Sequence, residues 1–103
     1  MSIARGTTPT FHLTFSENQL DLTTANNVYV TFEQNTRKLT KSGEALVVHE
    51  KQIDVYLDQK DTLGFRVGGV EVQANWTMAN GRRASSEICV VEFSKQLLER
   101  VIE

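Results

Sequence analysis

The chain has 103 residues, 40% of them hydrophobic and 23% charged, with a formal net charge of −2. This size and composition predict one folded domain and exclude a disordered chain. The near-neutral balance gives no electrostatic reason to expect nucleic acid or an anionic membrane as a partner.

Cys89 is the single cysteine, so no intrachain disulfide forms, and a lone cysteine in a strand reads as a small core hydrophobe. The opening residues lack the apolar run of a signal peptide, and no stretch approaches the roughly 18 apolar residues of a membrane span. Synthesis in the cytoplasm without a secretion signal is the expectation.

In chain order, residues 1–8 read as a flexible arm ending at Pro9, which suits a first strand position or an edge because it has no N–H to donate. Phe11, Leu13 and Phe15 alternate with His12 and Thr14, a period-two pattern that puts successive side chains on opposite sheet faces. Residues 16–27 form a polar connection in which Leu20 or Leu22 plugs the end of the core. Val28, Val30 and Phe32 alternate with Tyr29, Thr31 and Glu33 in the clearest strand. Residues 37–41 form a weaker basic strand with Leu39 inward, followed by a Ser42-Gly43 turn. Leu46, Val47 and Val48 are a short apolar run that reads as an edge strand. Lys38, Lys41, His49 and Lys51 around it are the charges that discourage pairing with other chains.

Ile53, Val55 and Leu57 alternate with Asp54, Tyr56 and Asp58 in the next strand. Asp58 is placed to cap a single helical turn over residues 59–63, ended by Gly64, with Leu63 and Phe65 closing the core. Residues 68–93 read as a long hairpin around Asn80-Gly81. A two-residue turn would pair Trp76 with Ser85 and bury Glu87 opposite Ala74. A three-residue loop of Ala79, Asn80 and Gly81, with Gly81 left-handed, pairs Val70 with Val90, Val72 with Ile88 and Trp76 with Ala84. A one-residue slip moves every side chain to the other face, so the second register is the expectation. After Phe93, Ser94 is a plausible N-cap for a short C-terminal helix over residues 94–103, with Leu97, Leu98, Val101 and Ile102 on one face. The inward set is Phe11, Leu13, Val28, Val30, Phe32, Ile53, Val55, Val70, Val72, Trp76, Ile88 and Val90. About seven short strands without intervening helices predict an all-β fold of two packed antiparallel sheets.

Motifs for chemistry are sparse. His12 and His49 fall on different strands with no Cys or carboxylate at ligand spacing, whereas zinc needs three or four converging donors. Asp54, Asp58 and Asp61 lack the glycine and terminal glutamate of a calcium loop. Ser85 and Ser86 have no neighbouring histidine and no glycine-flanked nucleophile turn. Gly64, Gly68 and Gly69 are too scattered for a phosphate cradle. Arg82-Arg83-Ala84-Ser85 matches a kinase-acceptor pattern, but solvated turn charges explain it as well. Tyr29, Tyr56 and Trp76 are the aromatics that a sugar platform would use, although Trp76 falls on the inward face. The expectation is therefore no enzyme activity, no catalytic residues, no metal and no cofactor.

The order of motifs is itself informative. Arg5-Gly6-Thr7-Thr8-Pro9-Thr10 leads into a strand and is followed by Leu20-Asp21-Leu22-Thr23. Then come Val28-Tyr29-Val30-Thr31-Phe32-Glu33-Gln34, Val55-Tyr56-Leu57-Asp58-Gln59, Thr62-Leu63-Gly64-Phe65, Val70-Glu71-Val72-Gln73 and the Asn80-Gly81 turn. This layout resembles small β-sandwich proteins of phages and prophages of Gram-positive bacteria. It is also similar to the immunoglobulin-like N-terminal domain of siphophage upper baseplate proteins. It differs from the baseplate domain in having no downstream linker or receptor-binding region. The resemblance implies an immunoglobulin-like sandwich acting as a virion structural or assembly protein, found in the virion if structural. Its partners would be copies of itself or other phage structural proteins; the expected interface, read from the residue pattern itself, is the edge strand of Leu46, Val47 and Val48 and the helix face of Leu97, Leu98, Val101 and Ile102. Carbohydrate on a host surface and a cytoplasmic regulatory target are the alternatives.

Overall fold

The structure, a computed structural model, describes residues 2–16, 20–98 and 100–102. Its strands in chain order are β1 (Ser2–Ala4), β2 (Thr10–Thr14), β3 (Asn27–Gln34), β4 (Arg37–Ser42), β5 (Leu46–Val48), β6 (Gln52–Tyr56), β7 (Gly68–Thr77), β8 (Arg83–Ser85) and β9 (Cys89–Ser94), with a helical turn α1 (Gln59–Leu63) between β6 and β7. One sheet has the order β1-β9-β7-β3-β4, with β8 also paired to β7; the other has the order β2-β6-β5. The chain is thus mostly β, as its periodicity predicts.

The two sheets share one hydrophobic cluster. Phe11 of β2 meets Phe32 of β3 edge-on with ring centroids 5.7 Å apart, and Phe15 meets Trp76 in the same way at 5.7 Å. From Phe32 the aromatic contacts continue to Phe65 at 6.4 Å and on to Phe93 at 5.2 Å. Such tilted and edge-on pairs suit the ring quadrupoles. Leu22 is fully buried at the core's edge, and Leu20 packs partly against it, as expected of the polar connection; residues 17–19 of that connection lie outside the described set.

Three expectations need correction. Residues 2–4 are not a flexible arm: β1 pairs with β9 in parallel, Ile3 opposite Phe93, and Ile3 is buried. The Arg5 side chain secures the arm further, donating from Nε to the Phe65 carbonyl (2.6 Å) and from Nη2 to the Leu63 carbonyl (3.0 Å). One sheet is therefore mixed, and nine strands stand among the described residues where about seven antiparallel strands were expected. Second, β9 ends at Ser94 and no helix follows among residues 95–98 and 100–102; positions 99 and 103 of the expected helix lie outside the described set. The Gln59 side-chain amide instead acts as a strand edge for this tail. Its Nε2 donates to the Ile102 carbonyl (3.1 Å), and its Oε1 accepts from the Ile102 N–H (2.7 Å).

The third correction is one of register. The loop is as expected: Gly81 is left-handed (φ +84), the Met78 N–H donates to the Arg82 carbonyl, and Trp76 lies opposite Ala84. Beyond Ser85 one extra residue enters, so Val70 pairs with Val91 and Val72 with Cys89. Val91 and Phe93 turn into the core, and Ile88 and Val90 turn out, at 56% and 62% exposure. The extra residue is accommodated at Ser86. The Ser86 N–H donates to the Ala74 carbonyl, while the Ser86 hydroxyl accepts from the Ala74 N–H at 2.9 Å, filling a ladder position that a backbone carbonyl would hold. This is bulge chemistry. Ser86→Ala is expected to strand the Ala74 N–H on a fully buried residue and to cost about 1–3 kcal/mol in urea unfolding. A loss below a few tenths of a kcal/mol would mean that the hydroxyl does not hold the bulge.

The cap on α1 forms as expected. The Asp58 carboxylate accepts from the Asp61 N–H (2.8 Å), and the Asp61 carboxylate accepts from the Asp58 N–H (2.9 Å). Lys41, expected to guard an edge, instead reaches the same Asp61 oxygen at 2.6 Å, tying β4 to α1 through a largely buried ion pair.

Candidate functional site

On the solvent face of the three-stranded sheet, antiparallel pairing sets His12 of β2 opposite Asp54 of β6, and Val47 of β5 opposite Asp54 on its other side. The β5–β6 turn, closed by the His49 N–H donating to the Gln52 carbonyl, folds His49 back over the same carboxylate. His12 Nδ1 lies 2.6 Å from Asp54 Oδ1, His49 Nε2 lies 3.0 Å from Oδ2, and Gln52 Nε2 donates to Oδ1 at 2.6 Å. Thr14 in turn donates to the Gln52 side-chain oxygen. Because an ionised carboxylate only accepts, the bonds to Asp54 are donated from His12 Nδ1 and His49 Nε2.

Asp54 is the centre of this cluster, with its side chain only 15% exposed while both imidazoles are about half exposed. Hydrogen bonds from His12, Gln52 and His49, in descending order of effect, hold its carboxyl down at about 2, against an ordinary value of 3.8. A carboxyl depressed on folding contributes stability that is fully present above its unfolded value and is lost as pH falls through its folded value. The acid limb of the stability curve should therefore steepen between pH 3.8 and about 2, and Asp54→Asn should flatten that limb in pH-dependent urea unfolding. An identical limb in the variant would contradict the cluster.

Chemically, the arrangement is a hydrogen-bonded clip across β2, β6 and the β5–β6 turn. Each histidine is committed to a different carboxylate oxygen, and among the described residues no three His, Cys, Asp or Glu side chains converge as metal donors. The cluster was not visible from spacing, because His12 and Asp54 are 42 positions apart and meet only through the β2–β6 pairing. The signal available beforehand was that both face outward on their strands.

The interface residues expected from the sequence divide into two groups. β5 is an edge strand, as expected, but Leu46 is buried and Val48 packs partly against the core, so Val47 alone of the three is an exposed side chain. Leu97, Leu98 and Ile102 are 93%, 47% and 63% exposed, while Val101 is half-buried. Val67 (57% exposed) immediately precedes Gly68, which pairs with Phe93, so it lies at the end of the sheet from which the tail departs. Four exposed apolar side chains thus belong to the tail and the sheet end it leaves, while Ile88, Val90 and Val47 are exposed elsewhere. Tyr29 and Tyr56 face solvent from different sheets and do not form one stacking platform. No protein-family model, no curated protein and no solved structure matches the chain.

Proposed function

We propose that this chain is a non-enzymatic structural or assembly protein of a phage or prophage particle. In this reading it is an immunoglobulin-like β-sandwich that works by burying apolar surface, first against copies of itself and then against neighbouring particle proteins. The observation that carries the reading is the apolar tail: Leu97, Leu98 and Ile102 stand between 47% and 93% exposed, with Val67 at 57% where the tail leaves the sheet, and Ile88 and Val90 add exposed apolar surface next to and on β9. Exposed apolar side chains that gather into one patch mark an interaction site. The sandwich reading is supported by two sheets contributing to one core and by the motif order described above. The non-enzymatic reading is supported by a histidine–aspartate cluster whose hydrogen bonds are turned inward to its own strands.

Quantitative mass spectrometry of purified particles from a strain carrying the gene tests this function. Peptides of the chain at a fixed ratio to tail or capsid proteins are the expected result. Absence from particles alongside abundance in the producing cells would overturn the structural role.

A further inference from the structure

Another feature of the surface is polar. Between the β3–β4 turn and the segment joining α1 to β7 lies a cleft of about 410 Å³ lined by Gln34, Asn35, Thr36, Arg37, Gly64 and Arg66. The lining is made of guanidinium, amide and hydroxyl groups with no carboxylate. Among the described residues, neither Arg37 nor Arg66 pairs with an acid: the nearby carboxylates of Asp61 and Glu33 are taken by Lys41 and Lys38.

The Arg37 cation is held in place, and the backbone of Arg66 is anchored beside it. The Arg37 guanidinium lies over the ring of buried Phe65, with its carbon 5.6 Å from the ring centroid. Its position also depends on Gly64. That residue has ordinary right-handed helical angles (φ −68, ψ −19), which any amino acid adopts, so the backbone does not require a glycine there. A Cβ at this position would stand 2.6 Å from Arg37 Nη2 and 2.9 Å from both Cζ and Nε. The missing side chain is the space that the guanidinium occupies. Arg66 is fixed through its backbone: its N–H donates to Gln34 Oε1 (2.7 Å), and Gln34 Nε2 donates to its carbonyl (2.9 Å). An unpaired guanidinium seated between a ring and a glycine has already lost freedom that binding would otherwise cost it.

We infer that this cleft binds an oxyanion, a phosphate or carboxylate group received by the Arg37 fork with Arg66 as the second cation. The planar fork matches the spacing of two oxygens on one anion, which a point charge does not.

The test is a ¹H–¹⁵N NMR titration of the full chain with sodium phosphate and with sodium acetate, each against sodium chloride at matched ionic strength. Saturable shifts confined to the amides of residues 34–37 and 64–66 with phosphate, acetate or both are the expected result, and the stronger of the two identifies the ligand group. Arg66→Gln, which leaves the Phe65 contact intact, should weaken binding roughly tenfold or more. Arg37→Lys should lose a similar factor despite keeping its charge. Gly64→Ala should weaken binding by displacing the guanidinium while leaving the rest of the spectrum unchanged. Shifts no larger than those produced by chloride would overturn the proposal, as would saturable binding that Arg66→Gln and Arg37→Lys both leave unchanged.

Discussion

Phe32→Ala should lower the free energy of unfolding by about 3–5 kcal/mol, the range for emptying a fully buried aromatic site. Phe32 is 0% exposed and sits at the junction of both sheets, touching Phe11 from one side and Phe65 from the other. Its loss leaves both neighbouring rings facing a void that backbone held in two ladders, to β4 and to β7, cannot collapse to fill. Domains of this size are typically stable by only about 5–15 kcal/mol, so the variant should be marginally folded at room temperature. Phe32→Leu, which keeps most of the apolar volume, should lose far less. Urea unfolding followed by Trp76 fluorescence measures both; a loss under about 1 kcal/mol for Phe32→Ala would mean that the sheets do not meet at this ring.

The second large effect should come from Lys41. Its ammonium lies 2.6 Å from Asp61 Oδ2, with the two side chains 18% and 12% exposed. Lys41→Met leaves the Asp61 carboxylate poorly solvated without its counter-charge. The cost should be about 3 kcal/mol, the lower end for a broken buried pair because both groups retain some water. Asp61 cannot simply move out to solvent, since it also accepts from the Asp58 N–H at the start of α1. Asp61→Asn keeps an oxygen for that capping bond, so the double variant Lys41→Met/Asp61→Asn should recover most of the loss. A full double-mutant cycle should show coupling of about 1–3 kcal/mol. If Lys41→Met alone proves neutral, the pair does not tie β4 to α1.

Much of this architecture was legible where one rule acted locally. Alternation in β3, β6 and β7 put Val30, Phe32, Ile53, Val55, Val70, Val72 and Trp76 on the buried side, where they lie. The Asp58 cap and the left-handed Gly81 followed from turn chemistry alone. What escaped depended on a distant partner. Residues 2–4 have too few positions to display a period and become a strand only because β9 offers its edge. The bulge depends on the Ser86 hydroxyl substituting for a backbone group, which alternation cannot register, and it reverses the faces of Ile88 and Val90.

The tail has helical spacing at Leu97, Leu98, Val101 and Ile102, but about ten residues are too few to overcome the cost of helix nucleation in water. Gln59 holds Ile102 in a strand-like pairing instead. The candidate sites were the least legible part. His12 and Asp54, like Arg37 and Gly64, are unremarkable in sequence and come together only through sheet pairing and the return of the chain through α1.

In the proposed function, the exposed apolar side chains of the tail form an assembly surface. Sedimentation velocity over a concentration series, run on the full chain and on Leu97→Asp/Ile102→Asp, addresses it most directly. Both side chains are more than half exposed, so the substitutions should leave the circular dichroism spectrum and thermal midpoint unchanged. The account predicts that the full chain sediments as an oligomer whose fraction grows with concentration, and that the variant sediments as a monomer throughout. A full chain that stays monomeric at every concentration, indistinguishable from the variant, would contradict it.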